Sequence, residues 1–184
     1  MLETLKKEEI KVLYSEETLA SRIKELASEI SEFYKDLDNL IVVGVLKGSF
    51  IFTADLVREL KVPCQLEFIK LSSYEDGTKS SGKIKAVDLS LPALHGKDVL
   101  VVEDIVDSGR TAKFLKDYFE QQVEVKSCKI TALFDKPCRR LDEFKTVSAD
   151  FTGFEIEDHF IVGYGLDFAQ KFRELPYVGV IELD

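Results

Sequence analysis

No stretch of this sequence is apolar for long. The longest run, Leu40 to Leu46, falls far short of the ~20 residues a membrane-spanning helix needs, so no helical span is expected. Positive charge is also in short supply: 25 Lys and Arg against 34 Asp and Glu give a net charge of −9. The acids are spread along the chain rather than gathered in a tail. This argues against a nucleic-acid or anionic-membrane partner, which requires a basic face, but leaves room for a small anionic ligand in a local basic pocket. Cysteine is limited to Cys64, Cys128 and Cys138, an odd number without metal-type spacing. Cys64 and Cys128 lie in strand-like segments as packed thiols, and a reducing, cytoplasmic setting is the simplest reading. No histidine pair suggests zinc. The N-terminus, with Glu3, Lys6, Lys7, Glu8 and Glu9, lacks the apolar core of a signal peptide. With no internal repeat and no linker, residues 1–184 are expected to form a single domain.

What is present is concentrated between Asp98 and Ala112. Val99 to Val102 form a β-branched and Leu run suited to a buried strand. Glu103 and Asp104 follow, then Ile105, Val106 and Asp107, then the small turn Ser108-Gly109-Arg110-Thr111. A helical pattern (Phe114, Leu115, Tyr118, Phe119) closes the unit. In open α/β sheets ligands bind beyond the carboxyl ends of the strands, where helix N-termini offer unpaired N–H groups. The turn can hold a phosphate with its amides and the hydroxyls of Ser108 and Thr111. Glu103 and Asp104 would repel that phosphate, so they should face sugar hydroxyls or a hydrated Mg²⁺. A phosphate and a diol held side by side outline a ribose 5-phosphate.

Along the rest of the chain, Leu19, Ile23, Leu26, Ile30, Phe33 and Leu37 keep helical spacing over Glu16–Leu37, with Ser15 as its cap. Leu40–Leu46 reads as a buried strand, and Lys47-Gly48-Ser49 leads into a helix over Phe50–Leu60. This second strand–loop–helix unit should open on the same sheet edge as the first. Phe50-Ile51-Phe52 is either an interface or core packing. A strand is expected from Pro63 to Leu71. Ser72–Lys83 has almost nothing to bury and reads as a functional lid of about a dozen residues, and Ile84–Leu89 returns antiparallel to complete a long hairpin. Val125–Phe134 is a further strand ending in Asp135-Lys136-Pro137. After it, Val147–Phe151, Phe160–Val162 and Tyr177–Leu183 are expected as short strands of a hood or edge, the hood being mainly 147–184.

The central stretch lacks the glycine spacing of a P-loop or of a dinucleotide fold. Its order of four apolar residues, two acids, two apolar residues and Asp-Ser-Gly-x-Thr resembles the ribosyl-pyrophosphate signature of the phosphoribosyltransferases. From Leu40 onward the chain resembles the hypoxanthine-guanine phosphoribosyltransferases in particular. Leu46-Lys47-Gly48-Ser49 resembles that family's pyrophosphate loop, and Ser72-Ser73-Tyr74 with Thr78–Gly82 resembles its mobile lid. Lys136 falls where the family places a lysine on the purine's exocyclic oxygen. The run 159–168, with Arg173 beyond it, resembles the base-stacking and magnesium segment.

The resemblance implies a mainly parallel α/β sheet flanked by helices, a small C-terminal hood and a long flexible hairpin lid. Lys47 and Gly48 would neutralise pyrophosphate, and the peptide before Lys47 would often be cis. Glu103 and Asp104 would take the diol, with Ile105 and Val106 beside them. Residues Asp107, Ser108, Gly109, Arg110 and Thr111 would line the phosphate and base, and Asp107 would be the acid–base residue. Phe160 would stack on the purine and Ile161 would offer backbone groups to its edge. Lys136, a donor, favours an oxo-purine over adenine. Asp167 would hold Mg²⁺ through pyrophosphate, completing a metal set with Glu103 and Asp104, and Arg173 would grip the leaving group. Ser73 and Tyr74 would close over the sugar.

His159 stands where the family commonly has lysine, which leaves the preference among guanine, hypoxanthine and xanthine open. The expected activity is Mg²⁺-dependent transfer of a phosphoribosyl group from phosphoribosyl pyrophosphate to hypoxanthine or guanine, by a cytoplasmic homodimer or homotetramer. A nucleotide-sensing nucleic-acid binder lacks its basic stripe here. A phosphate-relay receiver domain has no use for Lys47-Gly48, the Ser-rich lid or Phe160.

Overall fold

The computed structural model describes residues 9–76, 79–88 and 94–182, with the backbone alone described over 72–88. In chain order the elements are β1 (Lys11–Tyr14), α1 (Glu16–Phe33), β2 (Leu40–Leu46), α2 (Phe50–Glu59), β3 (Cys64–Asp76), β4 (Lys79–Asp88), β5 (Asp98–Val106), α3 (Arg110–Asp117), β6 (Ser127–Asp135), β7 (Phe151–Glu155), β8 (Phe160–Val162) and β9 (Val178–Ile181). A six-stranded sheet has the order β4-β3-β2-β5-β6-β7, all neighbours being parallel except β3 and β4. A separate three-stranded antiparallel sheet, β1-β9-β8, forms the hood.

The strand sequences explain this layering. A strand covered on both faces reads as a continuous apolar run, because alternate side chains feed different layers. In β2, Leu40 and Val42 enter the core under α1 and α2, while Ile41, Val43 and Val45 enter the core under α3. In β5, Leu100 and Val102 join the first and Val99 and Val101 the second. The register of β2 on β5, from Ile41↔Val99 to Gly44↔Val102, brings their carboxyl ends together. The Lys47 loop and the Glu103–Thr111 stretch are therefore neighbours by topology.

Helix α1 starts as expected, with the Thr18 N–H donating to Ser15 Oγ at 3.3 Å. It ends at Phe33 rather than Leu37. Tyr34 takes the last core position and Leu37 is only half-buried in the turn that follows, a turn set by Asp36, Asp38 and Asn39. Phe52 is fully buried, which places it in the core, whereas Phe50 is exposed.

The hairpin differs from expectation in being strand almost throughout. Residues 72–76 continue β3, and Ser73 pairs with Ile84. An antiparallel ribbon satisfies its backbone by pairing alone, so a segment with nothing to bury can still be extended. The Ser73 and Tyr74 side chains fall outside the described residues. At the C-terminal side, the strand expected over Val147–Phe151 forms instead at Phe151–Glu155, β7, and of the hood and edge readings it takes the edge of the main sheet. Its place in the hood is taken by β1, whose sequence carries no strand periodicity but which pairs with β9.

Candidate active site

A cavity of about 280 Å³ opens at the carboxyl end of β5, lined by residues 103–109, Thr111 and Ala112. Gly109 makes the turn possible: its φ is +87°, and a Cβ there would lie 2.9 Å from the Phe144 Cβ. Ser108 Oγ accepts from the Arg110 N–H at 3.4 Å. Arg110 itself is exposed, with its guanidinium 4.0 Å from Glu143 Oε1 rather than on the cavity wall.

The acid pair is electrostatically uncomfortable. Glu103 is buried, and its Oε1 has no hydrogen-bond partner. Burial, and then the charge of Asp104, hold the Glu103 carboxyl well above the usual range. Burial also pushes Asp104 up to about 6, with Asp167 adding to the rise. The Ile105 amide, its own amide and Arg173 oppose it. Among the described residues no three His, Cys, Asp or Glu side chains gather into a metal cage. Glu103 and Asp104 stand side by side, and Asp167 lies near enough across the rim for its charge to raise Asp104. The unpartnered Glu103 oxygen and the all-carboxylate donors do fit a hard divalent cation whose remaining ligands are water and substrate oxygens.

These shifts have a consequence for stability. Both folded-state values lie above those of the unfolded chain, about 3.9 for Asp and 4.3 for Glu. Their stabilising contribution is therefore full below the unfolded values and is lost as the pH rises through about 6 for Asp104. Asp104→Asn mimics the protonated form. In metal-free buffer at pH 8 it is expected to melt higher than the parent, and the gap should close as the pH falls toward about 5. A variant that melts lower at pH 8 would show that Asp104 is stabilised, not strained, as a carboxylate.

On one flank of the cavity lies the loop after β2. The Leu46–Lys47 peptide is cis, matching what the resemblance implies. A Cβ on Gly48 would sit 1.5 Å from Asp104 Oδ2, so the loop reaches the acid pair only because residue 48 has no side chain. Gly165, at φ +99°, also packs without room for a side chain, since a Cβ there would lie 2.1 Å from the Gly48 carbonyl. Beyond it Arg173 donates to the Gly165 carbonyl at 2.7 Å and pairs with Asp167 at 2.6 Å. The Gln170 N–H donates to Asp167 at 2.8 Å, and Lys47 Nζ lies 3.3 Å from Gln170 Oε1. Lys47, Gly48, Asp104, Asp167 and Arg173 thus form one charged rim.

On the other flank are Asp107, Lys136 and Phe160. Lys136 is 8% exposed, and its Nζ donates to the His159 carbonyl. Phe160 is exposed on β8 and meets Phe168 edge-on at 5.5 Å, whereas Ile161 is buried beside it. Sequence reasoning passes over Arg139, whose Nε lies 3.4 Å from Asp107 Oδ1, and Arg140, which donates to the Val106 and Asp107 carbonyls and to Asp135. It also passes over Gly165 and Gln170. The Gly163-Tyr164-Gly165 spacing signals a tight turn, but nothing in the sequence marks Arg140.

The phosphoribosyl transferase domain model matches residues 10–169. Fold, cavity and match agree, and the chain belongs to the phosphoribosyltransferase family. The hypoxanthine-guanine phosphoribosyltransferase of Bacillus subtilis is 43% identical over 172 residues, covering 94% of this chain and 93% of that protein. The hypoxanthine phosphoribosyltransferase of Haemophilus influenzae is 42% identical over 182 residues, covering 98% and 99%. A crystal structure of a hypoxanthine-guanine phosphoribosyltransferase from Bacillus anthracis superposes with a TM-score of 0.85 at 44% identity, covering 95% of this chain and 100% of that one. Within the family, the chain is a member of the hypoxanthine-guanine phosphoribosyltransferases.

Proposed function

We propose that the chain transfers the 5-phosphoribosyl group from phosphoribosyl pyrophosphate to hypoxanthine or guanine, giving IMP or GMP and pyrophosphate. The observation that carries this reading is the cavity in which Glu103 and Asp104 stand beside the Ser108–Thr111 turn. Amides and hydroxyls of that turn take the 5-phosphate at the start of α3, and the two carboxylates accept the ribose hydroxyls. Lys47 and Arg173 hold the pyrophosphate, Arg173 as a planar fork. Bound Mg²⁺, for which Glu103, Asp104 and Asp167 are the fitting carboxylates, supplies countercharge to the departing pyrophosphate.

Phe160 offers its exposed ring to the purine face, Ile161 offers backbone groups, and Lys136 donates to the exocyclic oxygen. As the purine attacks the anomeric carbon, Asp107 accepts the imidazole proton. The Ser73–Tyr74 stretch of the hairpin closes over the sugar and keeps water from the activated ribose. The protein works in the cytoplasm without a nucleic-acid or membrane partner, as one domain per chain. The exposed Phe50, Leu66 and Phe68 favour a homodimer or homotetramer.

The test is pyrophosphate release with a panel of bases at fixed Mg²⁺. Hypoxanthine and guanine should both turn over, and adenine, which sets its amino group against the Lys136 donor, about 10⁴-fold more slowly. Turnover of adenine or of a pyrimidine without any oxo-purine would overturn the reading.

A further inference from the structure

The β5–β6 ladder ends at the Val106↔Asp135 pair, whose last bond is the Lys136 N–H donating to the Val106 carbonyl at 3.0 Å. The residues that follow directly are Asp107 after β5 and Lys136 after β6, the groups that address opposite edges of the base. Lys136 is held by that bond, whereas Asp107 lies one residue past it, so something besides the ladder must set where Asp107 stands relative to Lys136.

The structure places one side chain there. Arg140 is 5% exposed at its side chain, and its Nη1 donates to the carbonyls of Val106 at 2.8 Å, of Asp107, and of Lys136 at 3.3 Å. Its Nη2 is paired with the Asp135 carboxylate, and Nε donates to the Val147 carbonyl at 2.8 Å. The guanidinium thus extends the ladder by one residue, binding both strand ends at once. The stem packs beneath the phosphate turn, since a Cβ on Gly109 would lie 3.2 Å from Arg140 Cδ. Only a planar fork with several fixed donors can satisfy carbonyls and a carboxylate on two strands together; a lysine ammonium on a flexible stem cannot. A buried ion pair of this kind adds little net stability, so rigidity is the property it contributes.

We infer that Arg140, anchored by Asp135, is a positioning residue that fixes Asp107 relative to Lys136 and so sets where the purine's proton-bearing edge meets its acceptor. The inference rests on the proposed role of Asp107, and the experiment separates the two. Turnover is measured for the parent, Arg140→Lys, Asp107→Asn and the double variant, with KM for each substrate and a thermal melt for each protein.

Arg140→Lys should lower kcat/KM for hypoxanthine by about 10²-fold, the cost of a small misplacement of a reacting group. Its KM for phosphoribosyl pyrophosphate should stay within about twofold. In the Asp107→Asn background the same change should cost only a few-fold, because no carboxylate remains to be misplaced. An equal loss in both backgrounds, or a KM for phosphoribosyl pyrophosphate that rises in step, would overturn the inference and leave Arg140 a merely structural residue. Undiminished turnover in Asp107→Asn would overturn the role of Asp107, and the inference with it. Should Arg140→Lys fail to fold, Asp135→Asn loosens the same anchor while keeping the carbonyl bonds, and the same dependence on Asp107 is required of it.

Discussion

Asp107→Asn is expected to lower turnover by about 10²- to 10⁴-fold, the range assigned to a positioned acid–base group, with almost no change in melting temperature. The amide keeps the size and shape of the carboxyl but cannot take up the proton released as the purine bonds to ribose. Stability is spared for a reason visible in the site. The Asp107 side chain is 45% exposed, and its ion partner Arg139 is 53% exposed and keeps Asp158 at 3.6 Å. Removing the Asp107 charge therefore orphans no buried cation, and an exposed pair of this kind is worth about 0–1 kcal/mol. The backbone of residue 107 remains held by Arg140 through its carbonyl. Steady-state turnover and a thermal melt on the same preparation decide the matter. A melt lowered by many degrees alongside the lost activity would make Asp107 a structural carboxylate.

The legible parts of this chain are those in which a local pattern has a local cause. β2 and β5 announce themselves because strands buried on both faces must be apolar throughout. The turn after β5 announces itself because phosphate binding at a helix start draws on small, hydroxylated residues and on a glycine at positive φ. The illegible parts depend on pairing with something distant. Lys11–Tyr14 is mostly exposed and has no periodicity of its own, and it is a strand only because β9 lies beside it. Phe151–Glu155 is apolar enough for a hood or an edge, and only its register with Thr131–Asp135 decides for the main sheet. Arg140 sits in a charged, proline-containing stretch with no periodicity of its own, yet it is buried because its guanidinium meets the Asp135 carboxylate and, from a distant part of the chain, the Asp107 carbonyl. The pairings of the site, Gly48 with Asp104 and Gly165 with Gly48, are likewise contacts across the chain that no spacing encodes.

Gly48→Ala carries the other large expected effect, and it strikes the sugar rather than the base. The added methyl would overlap Asp104 Oδ2 at 1.5 Å and Cγ at 2.4 Å, so the carboxylate must swing away. That movement breaks its bond from the Ile105 amide, 2.8 Å in the parent, and turns the acid from the position where it would meet the ribose diol. Overpacking of this kind costs about 1–3 kcal/mol of stability, or a few degrees for a chain of this size. The loss in kcat/KM for phosphoribosyl pyrophosphate should reach about 10²-fold, as for other misplaced groups. Gly96→Ala supplies the comparison. Gly96 has φ +70° with nothing within 4 Å, and it precedes β5 at the opposite edge of the sheet. Alanine there meets only the left-handed backbone penalty of about 1–2 kcal/mol, so it should lower the melt by a similar amount and leave activity unchanged. If the two variants melt alike and Gly48→Ala retains full activity, the contact between Gly48 and Asp104 is incidental and the diol must be held elsewhere. If only Gly48→Ala loses activity, the bare backbone at 48 is what lets the pyrophosphate loop and the diol carboxylates share one substrate.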